Sequence, residues 1–123
     1  MTDNKFEAKD LSRTFGHGKR MVTAVDRVSF SIKDREIVSL VGQSGCGKTV
    51  LAKMLLRLEA PSSGTLLFDG KRIGDVVDPR KHWRKVQAVF QDPFSAFNQF
   101  FTIRSHLKRS VTLFETKPSE SER

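Results

Sequence analysis

The stretch SLVGQSGCGKTVL, from Ser39 to Leu51, constrains this chain more than any other. Gly42, Gly47, Lys48 and Thr49 satisfy the spacing G-x-x-x-x-G-K-[ST], the pattern of a loop that wraps phosphates. Each position has a physical reason. Gly42 and Gly47, with Gly45 between them, let the backbone curl so that N–H groups from Gly42, Gln43, Ser44, Gly45, Cys46 and Gly47 converge into a concavity of positive potential. A helix opening at Lys48 adds the positive end of its dipole, and the Lys48 ammonium adds a full charge. The Thr49 hydroxyl is suited to Mg²⁺. Cys46 fits the loop because its side chain is small.

Such a loop demands a strand before it and a helix after it, and the flanks comply. The run EIVSLV, 36–41, is almost continuously apolar, as expected of a strand covered on both faces in a parallel sheet. The segment TVLAKMLLRL puts Val50, Leu51, Met54, Leu55 and Leu58 on one helical face, with Pro61 expected to end the helix. Upstream, Val28, Phe30 and Ile32 alternate with polar residues, so VDRVSFSI is expected as a half-buried strand that KFEAKDL can pair with in an antiparallel layer. TLLFDGKRI is expected as a hairpin turning at Asp69-Gly70. VQAVF, 86–90, is a second short apolar strand, and TIRSHLKRSVTLF a helix with Ile103, Leu107, Val111 and Phe114 along one side. The fold class is α/β, a phosphate-loop NTPase core carrying an antiparallel layer.

Length and charge bound the partners. The 123 residues suffice for one domain, and 37% hydrophobic with 29% charged residues fits a globular chain. No apolar run reaches the roughly 18–20 residues that span a bilayer, and MTDNKFEAKD is unlike a secretory leader, so the chain is expected in the cytosol. A lone Cys46 fits a reducing compartment. The net charge of +8 admits polyanionic partners, yet the basic residues are scattered and no nucleic-acid motif is present, so no nucleic acid is expected.

The order and spacing of AVDRVSFSI, IVSLVGQSGCGKTVLAKMLLRLEAPSSGTLLFDGKRI and VQAVFQDPFSAFN resemble the ATP-binding subunits of ABC transporters, over roughly residues 5–112. SGCGKT and FQDPFSAFN are similar to the oligopeptide and dipeptide importer branch. The resemblance implies ATP and Mg²⁺ as ligands. It implies membrane subunits and a second ATP-binding subunit as partners, in a homo- or heterodimer, with the protein on the inner face of the cell membrane when assembled. Gln91 matches the family's Q-loop glutamine, which contacts Mg²⁺ and senses the γ-phosphate. Phe15, in LSRTFGHG, stands where the family stacks an aromatic ring on adenine.

The cluster Phe90, Phe94, Phe97, Phe100 and Phe101 fits either a docking surface for membrane subunits or core. Asp69 imitates the family's metal-holding aspartate, but Gly70 beside it marks a turn. His17, His82 and His106 are expected to be surface or structural residues. Arg35 occupies a turn position where the family commonly has glycine. No LSGGQ-like segment and no hydrophobic strand ending in Asp-Glu is present, so the chain is expected to bind nucleotide without efficient hydrolysis. It resembles the first half of the domain, 1–112, followed by a polar tail, 113–123. Two other readings are open: a different phosphate-loop NTPase or kinase, and a basic nucleic-acid-binding module.

Overall fold

The computed structural model describes residues 3–75 and 78–114; of the expected polar tail, 113–123, positions 113 and 114 belong to a helix and those from 115 onward lie outside the described residues. Its body is one antiparallel sheet of four strands in the order β2-β1-β3-β4. The strands are β1 (Asn4–Phe15), β2 (Val22–Lys33), β3 (Ser63–Phe68) and β4 (Lys71–Arg72). Helix α1 (Lys48–Leu55) follows the glycine-rich loop, α2 (Pro79–Trp83) is a short turn of helix, and α3 (Ile103–Phe114) ends the described region.

The expected pairing of the first two strands is present, with Ala8 opposite Phe30 and Leu11 opposite Val28. Strict alternation fails inside it for a definite reason. Ala8 and Leu11 are both buried although three residues apart. A register shift lies between them, and Asp10 there has a φ of 47°. The extra residue returns Leu11 to the inner face. β2 does the same at Arg27, φ 45°, between buried Val25 and inward Val28. Side chains absorb the amides these irregularities free: Ser29 Oγ accepts from Asp10 N–H at 2.9 Å, and buried Ser12 Oγ accepts from Arg27 N–H at 2.8 Å.

The hairpin also forms as expected. Leu67 faces Arg72 and Phe68 faces Lys71, while Asp69 and Gly70 both take positive φ, 49° and 73°. Two left-handed central residues are what a two-residue hairpin turn with matching twist requires.

Leu51 and Met54 of α1 seal the inner face, packing with Ala8, Leu11, Val25, Leu66, Phe68 and Ile73 in one core. The helix stops earlier than Pro61 suggested. Arg57 adopts φ 59°, Leu58 N–H donates to Lys53 O at 2.8 Å and Arg57 N–H to Met54 O at 3.0 Å. This closed C-terminal motif ends the helix before Leu58 can join its apolar face. The next two carbonyls are taken by α2: Trp83 Nε1–H donates to Leu56 O at 2.8 Å, and His82 Nε2, facing Leu55 O at 2.8 Å, must carry the proton there. His82 is thereby a buried structural residue, its ring edge-on to Phe68.

The expected parallel strands are the main departure. Residues 36–43 and 86–90 form no ladder among the described residues. Ile37 is 97% exposed, Val41 89% and Val89 99%. A strand exists only against a neighbour, and β1–β4 are committed to one another. The apolar sequence of these runs therefore marks them for a sheet whose other strands the described residues do not supply. The five phenylalanines are likewise exposed among the described residues, and Ile103, Leu107 and Val111 of α3 share that exposure.

Gly64 of β3 packs directly against the β1 backbone. Its φ is +84°, and a Cβ there would lie 2.3 Å from Asp10 O and 2.7 Å from Leu11 Cα. Both obstacles are backbone. Gly64→Ala is expected to cost about 3 kcal/mol by urea unfolding, combining the overpacking and left-handed penalties. An exposed control, Gly18→Ala, where nothing lies within 4 Å, should cost less.

Candidate nucleotide-binding site

The loop from Gly42 to Thr49 is anchored at its end by Gly47. This residue is the N-cap of α1 with φ 96°, and a Cβ on it would lie 2.1 Å from Ala24 O of β2. Only glycine permits both the left-handed turn and that close approach. The loop thus sits directly against the sheet, and α1 starts from a fixed point.

Glycine supplies no side-chain cap, so the first-turn amides of α1 face outward with no partner from Gly47. Lys48 folds back over the loop. Its Nζ donates to Gly42 O and Gln43 O, both at 2.6 Å, and lies 3.5 Å from Cys46 Sγ. Cys46 N–H turns back to Gln43 O at 3.3 Å, which closes the curl. A Cβ on Gly42 would intrude to 2.6 Å from Cys46 Sγ and 3.8 Å from Lys48 Nζ, inside the bowl. Gly45, φ +82°, has open space around it. Ammonium, uncapped helix N-terminus and curled amides therefore meet in one concavity, the arrangement that attracts a polyanion. Cys46 and Thr49 are both exposed at its surface.

Phe15 ends β1 opposite Val22, two residues along β2 from the Ala24 that seats Gly47. Strand spacing puts the backbones of Phe15 and Ala24 about 8 Å apart. Arg13 covers one face of the Phe15 ring, its guanidinium carbon 4.5 Å from the centroid, and reaches Glu59 Oε2 at 2.8 Å. The bare sequence does not announce this cation, since two strand residues apart on one face become neighbours only once β1 forms. Gln91 is exposed at the end of the unpaired 86–90 run and shares no hydrogen bond with the loop among the described residues.

Asp69 is settled as a turn residue. Lys5 Nζ lies 2.8 Å and Lys85 Nζ 3.3 Å from its carboxylate. Among the described residues no three His, Cys, Asp or Glu side chains gather as a metal cage. The Lys5 hydrogen bond, reinforced by Lys85 and opposed by partial burial, holds the Asp69 carboxyl below its ordinary 3.8.

Residues 25–122 match the ABC transporter family model. The chain belongs to the ABC transporter family. It is 37% identical along its whole length to the oligopeptide transport ATP-binding protein OppF of Streptococcus pyogenes serotype M1, spanning 41% of that relative. It is 46% identical over 71% of its length to the oligopeptide transport ATP-binding protein AppF of Bacillus subtilis, spanning 27% of it. Among solved structures, a dimeric bacterial ABC transporter cassette superposes with a TM-score of 0.72 at 22% identity, over 95% of this chain and 51% of that one. A post-hydrolysis cassette dimer bound to ADP and Pi gives 0.64 at 22%, over 87% and 54%. These two show the shared ABC cassette fold. The family assignment decides against an unrelated phosphate-loop enzyme.

A depressed carboxyl stabilises the fold above its unfolded value, and the contribution disappears as pH falls through the lower, folded value. Acid titration of unfolding should therefore show a loss of stability below about pH 4 that Asp69→Asn reduces, read by circular dichroism.

Proposed function

We propose that the 42–49 loop binds the triphosphate of ATP and that this chain is the ATP-binding part of an ABC importer subunit. The observation that carries the proposal is the Lys48 ammonium held over the bowl by the Gly42 and Gln43 carbonyls beside an uncapped helix. In that position its donors engage neutral carbonyls and no competing carboxylate. Transfer of its hydrogen bonds to phosphate oxygens exchanges neutral acceptors for charged ones, which strengthens each.

In this reading the amides of residues 43–49 line the β-phosphate, and Lys48 takes the terminal phosphates. Thr49 and Gln91 offer one hydroxyl and one amide oxygen to Mg²⁺. That is a suitable donor set for an ion that draws its remaining ligands from phosphate and water. When bound, the ion neutralises phosphate charge. Phe15 offers the adenine a π-face on the side that Arg13 leaves open. The Gln91 assignment requires the 86–90 run to settle into a sheet, since only then is the amide held at a fixed distance from the loop.

The cargo class we propose is peptide, on the strength of relatives named as oligopeptide transport ATP-binding proteins. Partners are membrane subunits and a second ATP-binding subunit, placing the chain at the cytoplasmic face of the membrane. The exposed Phe94, Phe97 and Phe100 supply an apolar surface of the right kind for such docking. Among the described residues no helix is long and apolar enough to cross a membrane. Turnover needs a group that activates water and a second charged clamp on the γ-phosphate, and no side chain in the loop can serve as that base.

Calorimetry with MgATP tests the assignment. Binding is expected for the wild-type chain, with Lys48→Ala weakening it about 10- to 100-fold, the worth of hydrogen bonds to a charged group. Thr49→Ala should diminish the gain on adding Mg²⁺. Equal affinity in Lys48→Ala would refute the role of the loop.

A further inference from the structure

Positive charge and exposed apolar surface are concentrated in the same part of this chain. Residues 79–114 hold seven Lys and Arg side chains and one acid, Asp92, whose carboxylate is occupied by the Phe94 and Ser95 amides at 3.1 and 3.3 Å. This stretch therefore carries +6 of the net charge of +8. Its cations lie apart in the sequence, and the fold gathers them: Arg80 of α2 lines a cleft of about 490 Å³ with Lys108 and Arg109 of α3.

Charge and apolar surface meet on α3, which contains no Asp or Glu. Ile103, Leu107 and Val111, spaced four residues apart, form one stripe and are 70%, 61% and 55% exposed. Ser105, Lys108, Arg109 and Thr112 line the cleft beside Arg80, so the stripe points away from α2. At about 100° of rotation per residue, Arg104 and Lys108 fall on the border of the stripe. Neither makes an ion pair among the described residues. Side chains at such a border lay their aliphatic stems along apolar surface while the charged ends reach outward.

We propose that α3 is an interfacial helix that lies on an anionic phospholipid surface, with Ile103, Leu107 and Val111 among the acyl chains and Arg104 and Lys108 on the lipid phosphates. An acidic protein surface would pair with the cations and leave the stripe uncovered, whereas an apolar protein groove would cover the stripe and strand the cations at its edge. The boundary between headgroups and acyl chains satisfies both. Arg80 and Arg109, behind the helix, add attraction toward the same anionic surface. The contact is made by this chain directly, apart from nucleotide binding and from docking on membrane subunits.

Co-sedimentation of the full chain with protein-free vesicles tests this. Binding to equimolar phosphatidylcholine and phosphatidylglycerol is expected to be saturable, about tenfold or more tighter than to phosphatidylcholine alone, and weaker as salt rises. Replacing both border cations, Arg104→Gln with Lys108→Gln, should weaken it about 25-fold, about fivefold for each cation near an anionic surface. Leu107→Gln should also weaken it about fivefold or more, whereas Ile37→Gln, which removes a 97% exposed apolar residue elsewhere, should stay within about twofold. All these positions are exposed, so melting temperatures should not change, and Lys48→Ala should keep the vesicle affinity. Equal binding to neutral and anionic vesicles, equal losses in Ile37→Gln and Leu107→Gln, or no saturable vesicle binding, whether the chain stays monomeric or self-associates through α3 in analytical ultracentrifugation, each overturns the proposal.

Discussion

The rest of the structure depends on the docking of α1 onto the antiparallel sheet. Leu51 and Met54 bury their side chains against Leu11, Val25 and Leu66, and Gly47 lies against the Ala24 carbonyl one turn earlier. Each buried aliphatic side chain contributes about 1.5–3 kcal/mol of transfer free energy. The contact at Gly47 adds no such energy but sets position. Together they hold the helix N-terminus at a fixed height above β2, and the curl of the loop follows. The far end is fixed as well: the motif at Arg57 stops the helix, and His82 and Trp83 occupy its last carbonyls. An anion site made of backbone amides is only as defined as the helix that presents them.

This explains how a chain with two unpaired apolar runs still presents a shaped loop. In the ABC family arrangement implied by the sequence, the strand before the loop belongs to a central parallel sheet. Here 36–43 pairs with no strand among the described residues, and the loop is ordered from its other side, through α1 and β2. Exposed Ile37, Val41 and Val89 are the consequence. They form two adhesive edges, ready for strands of matching character or for aggregation.

The loop motif and the hairpin were legible in the sequence because their chemistry is local. Gly42, Gly47 and Lys48 determine one another within eight residues, and Asp69-Gly70 specifies its own turn. The β1–β2 pairing was legible from Val28, Phe30 and Ile32, but not its bulges: Asp10 and Arg27 look like ordinary strand residues until Ser12 and Ser29 are seen receiving their amides. The helix ends before the visible breaker Pro61, because Arg57 in a left-handed conformation is a terminator that no propensity would select. The apolar composition of the 36–41 and 86–90 runs points to strands, yet neither forms a ladder among the described residues. Composition reports what a segment can become, and pairing depends on a neighbour. Arg35 fits the same pattern. It has φ 59°, in a turn where glycine was the expected residue.

Amide hydrogen exchange tests this account most directly, since it separates a loop held from the α1 side from one held by a central sheet. Protection is expected in β1, the middle of β2, β3 and α1 from Leu51 onward, with 37–41 and 87–90 exchanging at rates near those of an unfolded chain. Slow exchange at Ile37, Val38 and Leu40, comparable to Leu11 and Leu66, would contradict it and show that the strand before the loop is paired after all.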